Sequence, residues 1–250
     1  MSIDFTAIDD LKVKLNKYRP LPKETVKSWR EHFITDFTYN SNAIEGNRLS
    51  LIETSIVINE GVTVGGKTLR EHLEVVNHKE AYLYIEELVK QNLSLSEKAL
   101  KDIHYLVLNH DRENAGAYRK VQVLVTGAEF HPVQPISIEE SINDLLVQYH
   151  NEWQNKHILW RIAMFHAAFE SIHPFSDGNG RTGRLILNLE LLKNGYLPIS
   201  IKFDNRIRYY EALSEYDKTK DCEKLLEIMS DGLVKQFTSL IDLCEPSHFT

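Results

Sequence analysis

The sequence predicts an all-α protein with one short hairpin, and three observations lead there. Apolar residues recur at spacings of three and four along most of the 250 residues. One stretch breaks the period: "VQVLVTGAEFHPVQP", residues 121–135, runs β-branched, turns at Thr126-Gly127 and is stopped by Pro132 and Pro135. No repeat, low-complexity tract or Ser/Gly linker divides the chain, so one helical domain with an N-terminal helical extension is the economical reading.

The elements follow in chain order. Phe33, Phe37 and Asn40 lead into "SNAIEGNRLS", where a glycine and several polar residues end or interrupt a helix. Ser50 is placed to N-cap a helix through Asn59, with Glu53 three residues on in capping-box position. "EGVTVGGK" is a loop with turn glycines. Leu69, Leu73, Val76, Ala81, Leu83, Ile85 and Leu88 then stripe a long amphipathic helix. Ser96 and Glu97 open the next, which carries Leu100, Ile103, Leu106 and Val107. Beyond the hairpin, helices are expected at about 137–153, 157–172, 179–194, 205–216 and 221–243. "LPISIKFD" resembles a strand ending in an acid, Asp204.

Composition excludes several classes of function. Apolar residues make up 42% and charged residues 26%, an ordinary globular balance. A net charge of -7 argues against a general nucleic-acid or membrane-surface binder, and no apolar run approaches the roughly 18 residues of a membrane span. The start, "MSIDFTAIDDLKVKL", lacks the basic-then-apolar layout of a secretory signal. Two cysteines, Cys222 and Cys244, supply neither a disulfide scaffold nor zinc spacing. A reducing, cytoplasmic setting is expected. Histidines 72, 78, 104, 150, 157 and 166 fit no zinc motif and are read as helix-surface or partly buried structural residues.

The chemistry concentrates in "HPFSDGNGRTGRL", residues 173–185. Its GNGRTG fits the dinucleotide fingerprint G-x-G-x-x-G, which demands a buried strand running into the first glycine. What precedes Gly178 is "ILWRIAMFHAAFESIHPF", helical in period and too long for a strand, so the NAD reading fails. A phosphate loop fails because Arg184 stands at the lysine position and Leu185 at the hydroxyl position. A calcium loop fails at Arg181 and Thr182. Backbone N–H groups at a helix start near Asn179, uncrowded by Gly178 and Gly180, form an anion site. Arg181 and Arg184, at i and i+3, add two guanidinium forks suited to phosphate. Asp177 is an oxygen ligand of the kind Mg²⁺ shares with phosphates, and His173 is a candidate general base. Together they make a phosphoryl-transfer kit.

"HPFSDGNGRTGR" resembles the signature of Fic-domain proteins, H-x-F-x-[DE]-G-N-G-R-x-x-R, with every fixed position filled. The resemblance runs from about residue 18 to about residue 235 and implies a Fic fold: a helical bundle with a flap at about 121–135. It divides the chain into an extension, residues 1–92, and a catalytic core, residues 93–250. It also implies transfer of AMP from ATP to a Ser, Thr or Tyr hydroxyl of a target protein. His173 would deprotonate the acceptor and Asp177 would hold Mg²⁺. Gly178, Asn179 and Gly180 would cradle the α- and β-phosphates with Arg181, and Arg184 would take the γ-phosphate. Val123, Leu124, Val125 and Thr126 would form the flap strand on which the target segment is laid. Tyr209, Tyr210 and Leu213 would face adenine. Asp217 departs from the Asn that close relatives often carry.

Upstream, "SNAIEG" is similar to the family's inhibitory motif [ST]-x-x-x-E-[GN], through Ser41 and Glu45. It implies that Glu45 pairs with Arg184, the guanidinium the γ-phosphate needs, so that ATP binds misaligned for attack. Four functions follow: an AMP transferase restrained by Glu45; a hydrolase that removes AMP, with Glu45 orienting water; a kinase that uses ATP reversed; and a non-catalytic nucleotide-sensing module. The kinase branch of the family has Lys where Gly180 stands, and an intact His173 speaks against the sensor. ATP and a target protein are the expected partners, without nucleic acid or membrane. Self-modification and a homodimer are left open.

Overall fold

The computed structural model describes residues 5–124 and 132–244. Ten α-helices account for most of them: α1 (Thr6–Asn16), α2 (Lys23–Ile44), α3 (Leu51–Ser55), α4 (Leu69–Lys90), α5 (Glu97–Val107), α6 (Ile138–Val147), α7 (Ile158–Ile172), α8 (Asn179–Lys193), α9 (Arg206–Thr219) and α10 (Glu223–Cys244). The local signals act as expected. Ser50 and Thr68 each close a full capping box, with Glu53 and Glu71, and Ser96 accepts from Ala99 N. α3 and α6 each run on into a π-helical turn, Ile56–Glu60 and Gln148–Glu152, which completes the helices expected through 59 and 153.

Helix α8 is the axis of the molecule. Every residue from Arg181 to Leu191 is buried, because α2, α4, α5 and α7 all pack on it. α7 and α8 each look two ways. Phe165, Phe169, Leu185 and Leu189 join one apolar cluster with residues of α2, α4, α5 and α6. Leu159, Ile162, Leu187 and Leu191 join a second with α1, α9 and α10. The layer between two cores holds its turn, residues 173–178, on rigid elements at both ends. The first cluster draws Phe33 and Tyr82, from the stretch expected to be an extension, together with Leu100 and Ile142 from beyond residue 92.

Three sequence expectations are corrected. On α4, Leu69 and Val76 are exposed, while the buried side includes His72, Glu74, Asn77 and His78; the helix packs against the arginine-bearing start of α8, which favours polar partners. His72, His78, His104 and His166 are all buried, deeper than the helix-surface or partly buried structural positions expected for them. "LPISIKFD" is extended and buries Ile199 and Ile201, but its pairing partner is a side chain: Asn188 accepts from Ile199 N (2.7 Å) and donates to Ile199 O (2.9 Å). No strand occurs among the described residues. The expected hairpin is described only at its flanks, where Gln122 Nε2 donates to Pro132 O (2.8 Å); Val125, Thr126 and the turn lie outside the described residues. Among the described residues no helix is long and apolar enough to cross a membrane.

Candidate active site

The turn between α7 and α8 is set by two left-handed residues. His173 closes α7 at φ 52°, and Gly178 opens α8 at φ 75°. Gly178 has a second constraint, since a Cβ there would stand 3.3 Å from Leu108. Asn179 closes the turn from inside: its Oδ1 accepts from Phe175 N (2.9 Å) and its Nδ2 donates to Phe175 O (2.8 Å). That side chain is therefore committed to the loop, and the backbone amides of α8's first turn are the groups left for an anion.

Two residues that the sequence reading missed brace this turn. Arg119 spans from Nε–His173 O (2.8 Å) to the flap flanks, where it reaches Val121 O (3.1 Å) and Val133 O. His104 stacks on Phe175, ring centroids 3.6 Å apart, and accepts from Gly116 N (2.9 Å) on Nδ1, so its Nε2 carries the proton given to Asp177 O at 2.9 Å. Burial lowers its pKa to about 4, which keeps that tautomer neutral. An isolated Arg or His carries no sequence signal for either role.

The charged groups form two sets. In the first, Asp177 Oδ1 accepts from Gly178 N (2.6 Å) and Arg181 Nη2 (3.1 Å), while Oδ2 accepts from Arg70 Nη2 (2.8 Å). Burial acts to raise the Asp177 pKa, but Arg181, the Gly178 N–H and Arg70 outweigh it and hold it low. In the second set Arg184, 2% exposed, donates from Nε to Ser41 Oγ (3.0 Å) and from Nη2 to Ser41 O (2.8 Å) and Glu45 Oε1 (2.8 Å). Gly180 makes room for that carboxylate, because a Cβ there would lie 2.2 Å from Glu45 Oε1. Glu45 thus rests its negative charge on the first turn of α8, beside the helix start where an anion is favoured. Tyr210 donates to Ile44 O (3.0 Å) and fixes the end of α2. Of the adenine-side candidates, Tyr209 is buried with its hydroxyl on His166 (2.8 Å) and its ring 5.8 Å from the Arg184 guanidinium; Leu213 is half-buried, and Tyr210 is 45% exposed.

The site can be matched to known proteins. The Fic/DOC family model matches residues 94–191. Protein adenylyltransferase Fic of Nematostella vectensis is 34% identical over 204 residues, 78% of this chain and 45% of that protein. Protein adenylyltransferase fic-1 of Caenorhabditis elegans is 36% identical over 182 residues, 71% of this chain and 35% of its own length. Residues 94–191 of this chain are a Fic/DOC family domain. It spans less than half the length of these curated relatives. The fold agrees as well. A Fic domain containing signaling protein from Bacteroides thetaiotaomicron superposes with TM-score 0.88 at 26% identity, covering 95% of this chain and 96% of that one. Residues 134–508 of C. elegans Fic-1 give 0.84 at 27% identity, covering 96% and 71%.

Beneath the Fic turn lies Glu170, whose Oε1 has no hydrogen-bond partner among the described residues and whose pKa burial raises to about 8. A carboxyl with a folded pKa above its unfolded 4.5 costs the fold nothing below pH 4.5 and progressively more as pH rises toward 8. Glu170→Gln, which keeps the shape of the neutral acid, is expected to be more stable than the wild type above neutrality. The gap should widen between pH 5 and 8 with a slope approaching about 1.4 kcal/mol per pH unit. Urea unfolding of both proteins across that range measures it; parallel curves would show that Glu170 folds with an ordinary pKa.

Proposed function

We propose that this chain is a protein adenylyltransferase, moving AMP from ATP to a hydroxyl side chain of a protein. One observation carries the reading: His173, Asp177, the first turn of α8, Arg181 and Arg184 converge on one turn between two buried helices. The relatives' names point the same way. Burial, only partly offset by neighbouring groups, keeps the His173 pKa below its usual 6.5, so the imidazole is a free base at neutral pH. It takes the proton of the acceptor hydroxyl as that oxygen bonds to the α-phosphorus and the bond to pyrophosphate breaks. Arg181 and the α8 amides balance charge on the phosphates, and Arg184 is the group for the γ-phosphate.

Asp177 is the residue that would hold Mg²⁺. It is ionised and half-exposed, and a guanidinium already stands as a cation against its Oδ2. No cluster of three or more acidic, His or Cys ligands occurs among the described residues. A single carboxylate completed by phosphate oxygens and water is the usual Mg²⁺ arrangement at such sites. When bound, the cation would neutralise charge on the departing pyrophosphate.

We further read the Glu45–Arg184 pair as self-restraint, since the guanidinium meant for the γ-phosphate is occupied at 2.8 Å. The flap from Val123 and Leu124 onward is the proposed seat of the target segment, by strand addition. Residues 93–250 would form the catalytic core and 1–92 an inhibitory extension, acting in the cytoplasm.

The test is incubation with ATP labelled at the α- or the γ-phosphate. Protein should take label from the α position, depend on Mg²⁺, and lose at least about 90% of the rate in Asp177→Ala, given the several kcal/mol that such a metal contributes. Label from the γ position would make the chain a kinase. Undiminished transfer in EDTA would remove the metal from the scheme.

A further inference from the structure

Arg70, in the first turn of α4, belongs to no part of the signature. It nevertheless touches Asp177 across 107 residues of sequence, Nη2 to Oδ2 at 2.8 Å. Its Nε donates to Glu74 Oε1 (3.0 Å), which lies 3.5 Å from Arg181 Nη1, and Arg181 Nη2 returns to Asp177 Oδ1 (3.1 Å). Arg70, Asp177, Arg181 and Glu74 therefore close a ring of alternating charge. Glu74 Oε2 also accepts from Asn47 (2.9 Å), two residues beyond Glu45, so the ring and the Glu45 loop share one scaffold. Within the ring the two arginines differ: the Arg181 side chain is 2% exposed, that of Arg70 63%. One is fixed, and the other has solvent to move into.

Asp177 has both oxygens in use. Oδ1 is held by Gly178 N–H and the buried Arg181, contacts that belong to the turn itself. Oδ2 is held by Arg70 alone among the hydrogen bonds to described residues. A divalent cation ligated at roughly 2.0–2.1 Å cannot share that oxygen with a guanidinium nitrogen at hydrogen-bond distance on the same side.

We propose that Arg70 stands in for the divalent cation, neutralising Asp177 in the metal-free chain and leaving Oδ2 when the metal binds with nucleotide. The inference rests on the reading of Asp177 as the metal ligand. Arg70 is then a positioning residue that acts through Asp177 and sets how much metal is needed. It keeps the carboxylate aimed, and it competes with the ion for one oxygen. Both partners are partly exposed, so the competition is modest, of the size of a surface ion pair.

Binding of an α,β-methylene analogue of ATP, which cannot give up AMP, tests this by titration calorimetry over a range of Mg²⁺ concentrations. In the wild type Mg²⁺ should tighten binding with a definite midpoint. Arg70→Gln and Arg70→Ala should each lower that midpoint roughly two- to fivefold, the range a half-exposed ion pair corresponds to. In EDTA neither should bind the analogue more tightly than the wild type, because Asp177 then keeps Arg181 on Oδ1 but has no cation on Oδ2. An unchanged midpoint in both variants overturns the proposal, and a raised one would mean that Arg70 helps hold the metal. Asp177→Ala separates the two levels of the argument. If that variant keeps the Mg²⁺ dependence, the reading of Asp177 fails first; if it loses the dependence while the Arg70 variants match the wild type, only the present inference fails.

Discussion

Alanine at His173 is expected to lower AMP transfer by roughly two to four orders of magnitude, the range over which a positioned general base acts. Nucleotide affinity should change little, because the imidazole meets the reacting hydroxyl rather than the phosphates, and losses confined to the transition state fall on turnover. His173 also has a backbone role, at φ 52° with its carbonyl held by Arg119. Asparagine tolerates that left-handed conformation better than alanine and cannot act as a base, so His173→Asn should be equally inactive with the turn intact. The pH profile carries a further expectation. A base with a depressed pKa stays neutral below 6.5, so the acid limb of kcat/KM should fall below that value and vanish in both variants. Initial rates of α-label incorporation beside nucleotide Kd values measure all three. A His173→Asn protein within tenfold of the wild type would move the base elsewhere.

The sequence made this turn legible because its chemistry is contiguous: the proposed base, a carboxylate, a helix start and two arginines lie within twelve positions, and the helical run before Gly178 excludes the dinucleotide alternative. Helix starts were legible where caps are local, as at Ser50 and Ser96. What stayed hidden depends on contacts between distant segments. Arg70, His104 and Arg119 look like ordinary helix or loop residues until the fold sets them 107, 73 and 54 positions away on the 173–178 turn. The face of α4 was misjudged for a related reason. Apolar spacing selects Leu69 and Val76, yet a helix that packs on buried arginines gains more from Glu74, which pairs with one of them, than from leucine. Likewise the alternation in "LPISIKFD" correctly reports burial but says nothing about whether a strand or the amide of Asn188 satisfies the backbone. The resemblance assigns Asn179 to the phosphates, and the sequence does not reveal that its side-chain amide is hydrogen-bonded to Phe175, which leaves its backbone N–H for that role.

Glu45→Gly is expected to raise AMP transfer by about ten- to a hundredfold, equivalent to roughly 1.4–2.8 kcal/mol of relieved competition. The pair it removes joins groups 139 residues apart: Glu45 Oε1 on Arg184 Nη2 at 2.8 Å, with Ser41 holding the same guanidinium by hydroxyl and carbonyl. Burial acts to lower the Arg184 pKa and Glu45 is the largest of the influences that raise it; with Glu45 gone the guanidinium still stays charged, because an arginine does not give up its proton at neutral pH. Ser41 keeps it from becoming an orphan, and Glu45, 34% exposed at its side chain, contributes little to the core, so the variant should fold. Arg184→Ala in the Glu45→Gly background should then abolish the gain, because inhibitor and γ-phosphate are read by one side chain. A double mutant as active as Glu45→Gly alone would disprove that account. The exposure of Glu45 also leaves it reachable by water, which is what the hydrolytic reading requires. Release of AMP from a pre-modified target distinguishes the roles. A purely inhibitory glutamate leaves release unaffected when removed, whereas a glutamate that orients water loses it. A chain in which Glu45→Gly both gains transfer and loses release uses the same carboxylate for both directions of the reaction, with Arg184 as the contact that selects between them.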